Sequence, residues 1–232
     1  MRKIFRTFLR PKGDKMATSR TEEYLESLFK LQQNEDPVSI SRLAKHLNLS
    51  AASASEMAKK LKLMHLVSTK GKKIYLTKKG DQAAKKVVRR HRLLERFLTD
   101  VLGLPWDEVH EEACRLEHGL SPKVEEKLAI YLENPQVCPH GHPIPDNKGV
   151  FPQNTTSPLS TLKPGDKGIV SEVPEEDPEM LKYLERLGLR PQVEVIIEEV
   201  APLSGPFLIR IGKSKHALGR DVATLIQVKT EV

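Results

Sequence analysis

Apolar residues recur at helical spacing in "SRTEEYLESLFKLQ", where Leu25, Leu28 and Leu31 share a face and Ser19 with Glu22 forms a capping-box pattern. In "DPVSISRLAKHLNLSAASASEMAKKLKLMHLV" two shorter patterns follow. One spans about 39–47, with Leu43, Ala44 and Leu47 inward. The other follows the "NLS" turn, with Ser50 as its cap and Ala54, Met57, Ala58 and Leu61 inward. Two short helices joined by a tight turn predict a helix-turn-helix. "HLVSTKGKKIYLTKKG" then reads as a hairpin with a Lys-Gly-Lys turn, which makes the unit a winged helix with Lys70, Lys72 and Lys73 at the wing tip.

Helical spacing resumes at Lys78 and runs to about Leu102, where Gly103 and Pro105 stop it. A shorter helix is predicted over 107–119, and Ser121-Pro122 opens another that packs through Val124, Leu128, Tyr131 and Leu132. This block has more apolar stripes than a lone hairpin can bury, which predicts a helical dimer interface. Residues 133–164 contain seven prolines and read as a linker. Beyond them "KGIVSEV", "QVEVIIEEV", "FLIRIG" and "ATLIQV" read as strands, with a helix in "EEDPEMLKYLERLGL". The expected fold is mainly α. It has a winged helix-turn-helix over 18–77, a helical block over 78–147, a linker over 148–160 and a small all-β, barrel-like domain over 161–230.

Charge adds a partner. Residues 1–105 hold 24 Lys and Arg against 10 Asp and Glu, whereas 106–232 hold 14 against 21. A strongly basic front half around a helix-turn-helix points to double-stranded DNA. No apolar run approaches the ~20 residues of a membrane span, so no membrane partner is expected. Residues 1–17, "MRKIFRTFLRPKGDKMA", form a basic extension without the apolar core of a signal peptide; they read as a basic arm or as an over-long gene start ahead of Met16. Cys114 and Cys138 form no CxxC pair, which fits a reducing, cytoplasmic compartment.

The candidate chemistry lies in "VHEEACRLEH". On a helix, Val109, Ala113, Leu116 and Leu120 make an apolar stripe, and His110, Cys114, Glu117 and His118 line the arc beside it. A thiol, a carboxylate and imidazoles at the border of a core are costly to desolvate unless paired. A divalent cation pairs with all three types; a polar helix edge carrying a small cysteine is the alternative. Two further helices offer donor pairs, His91 with Glu95 at i, i+4 and Glu23 with Glu26 at i, i+3. Each pair alone also reads as a surface ion pair, but three such helices are the pattern of carboxylate metal sites in helical cores. "CPHGHPIP" offers Cys138, His140 and His142 but no fourth donor nearby, so it reads as a packing loop.

Taken together, the chain resembles the diphtheria-toxin-repressor family of iron- and manganese-dependent transcriptional repressors. "TEEYLESLFKL", "ISRLAKHLNLSAASASEMAKKL", "RRHRLLERFLTDVLGL", "VHEEACRLEHGLS" and "CPHGHPIP" carry the likeness over about 18–147. "LSTLKPGDKGIV" and "HALGRDVATLIQV" resemble the SH3-like (FeoA-like) domain of longer members over about 158–229. The resemblance implies two metal positions per subunit. Cys114, Glu117 and His118 match the primary one, completed by Glu23 and, as in manganese-type members, Glu26. His91, Glu95 and His110 match the ancillary one, to which the SH3-like domain of some members adds side chains; Glu176 and Glu179 have suitable spacing for that. Cys114 is an iron-type feature, while Glu23 and Glu26 are manganese-type. The ligand set is therefore a hybrid that leans to Mn²⁺ over Fe²⁺.

The expected function is a homodimeric, metal-dependent repressor of metal-homeostasis genes, not an enzyme. Its reading helix presents Ser50, Ala51, Ala52, Ser53, Glu56, Lys59 and Lys60. Small or acceptor side chains meet bases, and Lys59, Lys60 and the wing lysines meet phosphates. Glu56 has a second reading, a helix salt bridge to Lys59 or Lys60. The rival functions are a metal-dependent hydrolase of nucleic acid and a metal-independent architectural DNA binder.

Overall fold

The computed structural model describes residues 19–230 apart from Asn34 and Asp36. The basic extension over 1–17 lies outside the described residues. The chain divides into two units, Met1–Ala84 and Lys85–Val232.

In the first unit α1 (Ser19–Gln32) is followed by β1 (Val38–Ser39), α2 (Ile40–His46), α3 (Ala51–Leu63), β2 (Val67–Lys70) and β3 (Lys73–Leu76). The helix starts are set locally. Ser39 and Ser50 accept from the backbone amides of Arg42 and Ser53, which satisfies a donor that the first helical turn leaves open. Asn48, in the turn between the helices, has a φ of 51°, a conformation asparagine tolerates better than most residues. The three strands pair antiparallel in the order β1-β3-β2, and Lys70 faces Lys73 across the wing turn. Leu25 and Leu28 of α1, Leu43 of α2, Leu61 of α3 and Ile74 of β3 are fully buried and form the unit's centre.

The division falls within α4 (Lys78–Asp100), and the second unit continues with α5 (Val109–Glu117) and α6 (Pro122–Tyr131). Ser121 caps α6 by accepting from Val124 N, with Pro122 in the first turn. Leu94 and Leu98 of α4 bury against Val109 and Ala113 of α5, with Leu128 of α6 alongside. Val124 and Tyr131, expected to pack inward, are exposed. Within this chain α6 buries Ala129 and partly Leu128 and Glu125, the last paired with Arg89.

The β domain has β4 (Ser157–Pro158), β5 (Lys167–Glu172), α7 (Pro178–Leu187), β6 (Glu194–Val200), β7 (Phe207–Ile211), β8 (Ser214–Leu218), α8 (Arg220–Leu225) and β9 (Gln227–Lys229). Its sheet runs β4-β9-β5-β6-β7-β8, all antiparallel. The "ATLIQV" segment divides into the end of α8 and β9 rather than forming one strand. β8 has no strand-like apolar run because it is an edge strand that buries little besides Leu218. Trp106, in the α4–α5 connection, belongs to this domain's core; its indole N–H donates to Glu185 of α7 and the Arg190 guanidinium lies over its ring.

Of residues 133–164, expected as a linker, those up to 156 form a shaped loop. Cys138, His140 and Ile144 are buried, Val137 pairs with Pro143, and the Arg92 guanidinium donates to the Pro143 carbonyl. Among the described residues no helix is long and apolar enough to cross a membrane.

Candidate metal centre

The i, i+4 spacing on α4 puts His91 and Glu95 on one face, and both are buried. The same spacing on α5 aligns His110 with Cys114, and Glu117 follows one turn later. The two helices set these faces against each other. His91 Nε2 lies 3.1 Å from Glu95 Oε1 and 3.0 Å from His110 Nδ1. His91 Nδ1 lies 2.8 Å from Glu117 Oε2. The Cys114 thiol is 3.9 Å from both His91 Nδ1 and His110 Nε2, and His118 Nε2 is 3.3 Å from Glu117 Oε1.

Residues assigned by resemblance to two separate positions thus meet at one imidazole, that of His91. Glu23 and Glu26 lie on α1 in the other unit. Glu23 is exposed; Glu26 is buried and pairs with Lys30 at 3.2 Å.

A second donor group adjoins the first through Glu95. Glu95, Cys138, His140 and Glu175 are all buried, with one donor atom of each within 4.8 Å of the others. His140 Nδ1 is 3.4 Å from Glu95 Oε1, and its Nε2 bonds the Trp106 carbonyl at 2.7 Å. The 138–142 loop is held closed by Cys138 N–H to His142 O and Gly141 N–H to Cys138 O. Gly141 has a φ of 91°, and a Cβ there would stand 1.8 Å from the Ser171 carbonyl oxygen. Only glycine lets the loop lie this close to β5. A register shift between Val170 and Glu172 falls at the same place, and Glu172 Oε2 meets His142 Nδ1 at 3.2 Å.

The expected pair from the β domain does not join this group. Glu176 is exposed, and Glu179 is exposed and bonded to Lys182; the carboxylate that lies with Glu95, Cys138 and His140 is that of Glu175. The sequence shows no further donor near "CPHGH"; in the fold, Glu95 of α4 and Glu175 of the segment after β5 stand beside Cys138 and His140.

Electrostatics favour charged forms at Glu95 and Cys114 and oppose one at Cys138. Burial alone would raise the Glu95 pKa, but the positive charge of His91 and the hydrogen bonds of His110, His140 and His91 outweigh it and hold the carboxyl well below its usual range. Burial opposes a Cys114 thiolate too, and His110 and His91 again reverse the direction, lowering its pKa. Cys138 goes the other way: burial and the charges of Glu95 and Glu175 raise it well above an ordinary thiol. Its His140 neighbour is burdened by burial, yet hydrogen bonding and charge from Glu95 raise its pKa.

A divalent cation fits this donor set. Glu95 Oε2 is buried and, among the described residues, has no hydrogen-bond partner, which leaves acceptor capacity in a place water does not reach. The close imidazole and carboxylate contacts require ring protons, and a cation can take over their role.

The DNA-facing candidates lie in the first unit. Ala51, Ala52, Glu56, Lys59 and Lys60 are exposed on α3, Ser50 is its cap, and Ser53 is half-buried. Lys70 and Lys72 are exposed at the wing, whereas Lys73 is held by Glu35 at 2.8 Å.

Three family descriptions match the chain in order. Residues 16–74 match the iron dependent repressor N-terminal DNA binding domain, 77–146 its metal binding and dimerisation domain, and 157–230 the FeoA domain. The iron-dependent repressor IdeR of Mycobacterium tuberculosis is 32% identical over 222 residues, covering 90% of this chain and 96% of that protein. The diphtheria toxin repressor of Corynebacterium diphtheriae is 36% identical over 133 residues, 56% of this chain and 59% of that protein. Among solved structures, a manganese-dependent transcriptional repressor in complex with manganese superposes with a TM-score of 0.86 at 35% identity, covering 90% of this chain and 99% of the other. The manganese regulator SloR gives 0.76 at 32% identity, covering 90% and 98%.

Proposed function

The chain belongs to the iron-dependent repressor family, and from that premise we propose a homodimeric, metal-dependent transcriptional repressor of metal-homeostasis genes, responsive to Mn²⁺ in preference to Fe²⁺. The carrying observation is the convergence of His91, Glu95, His110, Cys114 and Glu117 in a chain whose front half is a basic winged helix.

A bound divalent cation would supply the positive charge that these buried acceptors need. The protein's own groups prepare for it. Glu95 faces three imidazoles and orients them; His91 spans Glu95 and Glu117 and so links α4 to α5. Family membership supports adding Glu23, Glu26 and His118 to Cys114 and Glu117 as the primary ligands. Glu95, Cys138, His140 and Glu175 are the best candidates for a second position, and Trp106 with Gly141 keeps their loop against the β domain. Affinity for metal and for operator DNA must then rise together, by the same factor. Exposed Val101, Leu102, Leu116, Val124, Ile130 and Tyr131 in the helical block supply the apolar face for a second copy.

The test is a titration of operator affinity against Mn²⁺, Fe²⁺ and Zn²⁺ with EDTA as blank. Affinity should rise at least about tenfold with the cognate metal, a coupling of ordinary size. Glu117→Ala should fold yet lose that stimulation. DNA binding indifferent to chelator would sink the proposal.

A further inference from the structure

The base-reading surface of α3 has one uncommitted hydrogen-bonding group in its first two turns. Ala54, Met57, Ala58 and Leu61 are buried, so at 100° per residue the opposite stripe is Ala52, Glu56, Lys59 and Leu63. Its N-terminal part is what a helix-turn-helix presents to base edges. The hydroxyls there are engaged within the helix. Ser50 Oγ accepts from Ser53 N at 3.1 Å and lies 2.9 Å from Ser53 Oγ, and Ser55 Oγ donates to the Ala51 carbonyl at 2.7 Å. Ala51 and Ala52 offer only methyl groups. Glu56 is exposed and, among the described residues, makes no hydrogen bond or ion pair, although Lys59 and Lys60 stand three and four residues on. The salt-bridge reading of Glu56 is therefore not the arrangement found.

A free carboxylate brought toward phosphates is repelled by them, so it weakens binding to every sequence that does not compensate it. It can only accept. In the major groove the donors are cytosine N4 and adenine N6, and adenine sets its N7 acceptor beside the donor, where a carboxylate is repelled. Cytosine is the better match.

We propose that Glu56 specifies the operator sequence, selecting a cytosine at one position of each half-site; this rests on the repressor reading above. The experiment selects duplexes from a random pool with the full chain and Mn²⁺, comparing wild type, Glu56→Gln and Glu56→Ala. Wild type should favour cytosine at one position per half-site by about tenfold, the usual size for a good base contact. Glu56→Gln should move the preference there to adenine, which an amide reads through N6 and N7. Glu56→Ala should erase it, leave the other positions unchanged and bind non-operator DNA more tightly. No cytosine preference in wild type, or the same preference in both variants, overturns the inference. Wild type that retains no duplex even with metal would instead overturn the repressor reading and this inference with it.

Discussion

Under the proposed function, Cys114 is the residue that sets which metal the primary ligands prefer. It is the one soft donor beside Glu117 and His118, and it reaches solvent while its neighbours His91 and His110 favour the thiolate. Thiolate favours the later divalent metals and carboxylate the earlier ones. Cys114→Asp should therefore lower the Mn²⁺ concentration for half-maximal DNA binding relative to Fe²⁺, by roughly tenfold or more in the ratio, on the scale of one ligand exchange. Parallel Mn²⁺ and anaerobic Fe²⁺ titrations read this directly; an unchanged ratio would remove Cys114 from the ligand set. Spacing along α5 is enough to gather these side chains in the sequence. The role of His91, which contacts Glu117, Glu95 and His110 at once, was hidden because it depends on how α4 packs on α5.

Helices and hairpins of the winged unit are written in short-range signals: capping serines at 39 and 50, and a glycine at 71 with a φ of 59° in the wing turn. Each acts within a few residues, so the sequence alone exposes it. The 138–142 loop obeys no such local code. The prolines around it suggest a linker, and its shape comes from contacts to Trp106, Ser171 and Val173 in distant parts of the chain. Gly141 is where the long-range requirement can be measured. Gly141→Ala adds a Cβ against the backbone of Ser171 and forces an L side chain to a φ of 91°. A cost of about 2 kcal/mol corresponds to roughly a 5 °C loss in Tm for a chain of this size. Thermal unfolding should show that loss, and metal analysis should show less binding at Cys138 and His140; a Tm within a degree of wild type would mean the loop is not held as described.

Assembly draws on features that no single element explains. The front half is basic and the back half acidic, so the polyanion-facing charge is concentrated in the front half. α6 buries one alanine fully while Ile130 and Tyr131 stay 55% and 66% exposed, an arrangement an isolated subunit has no reason to keep. The sequence announced these stripes as apolar; which of them would lack a partner within the chain depends on three-dimensional packing. In a two-fold dimer any substitution appears twice, and a residue near the axis meets its own copy. Tyr131→Glu places an unpaired carboxylate in each apolar face, where desolvation opposes association. The variant should run as a monomer by light scattering at micromolar concentration while keeping its metal stoichiometry, because Tyr131 lies outside both donor groups. Its affinity for a palindromic operator should fall at least about a hundredfold, since two linked half-sites gain that much or more from being joined. A dimeric mass with unchanged operator affinity would place the partner on another face of the helical block.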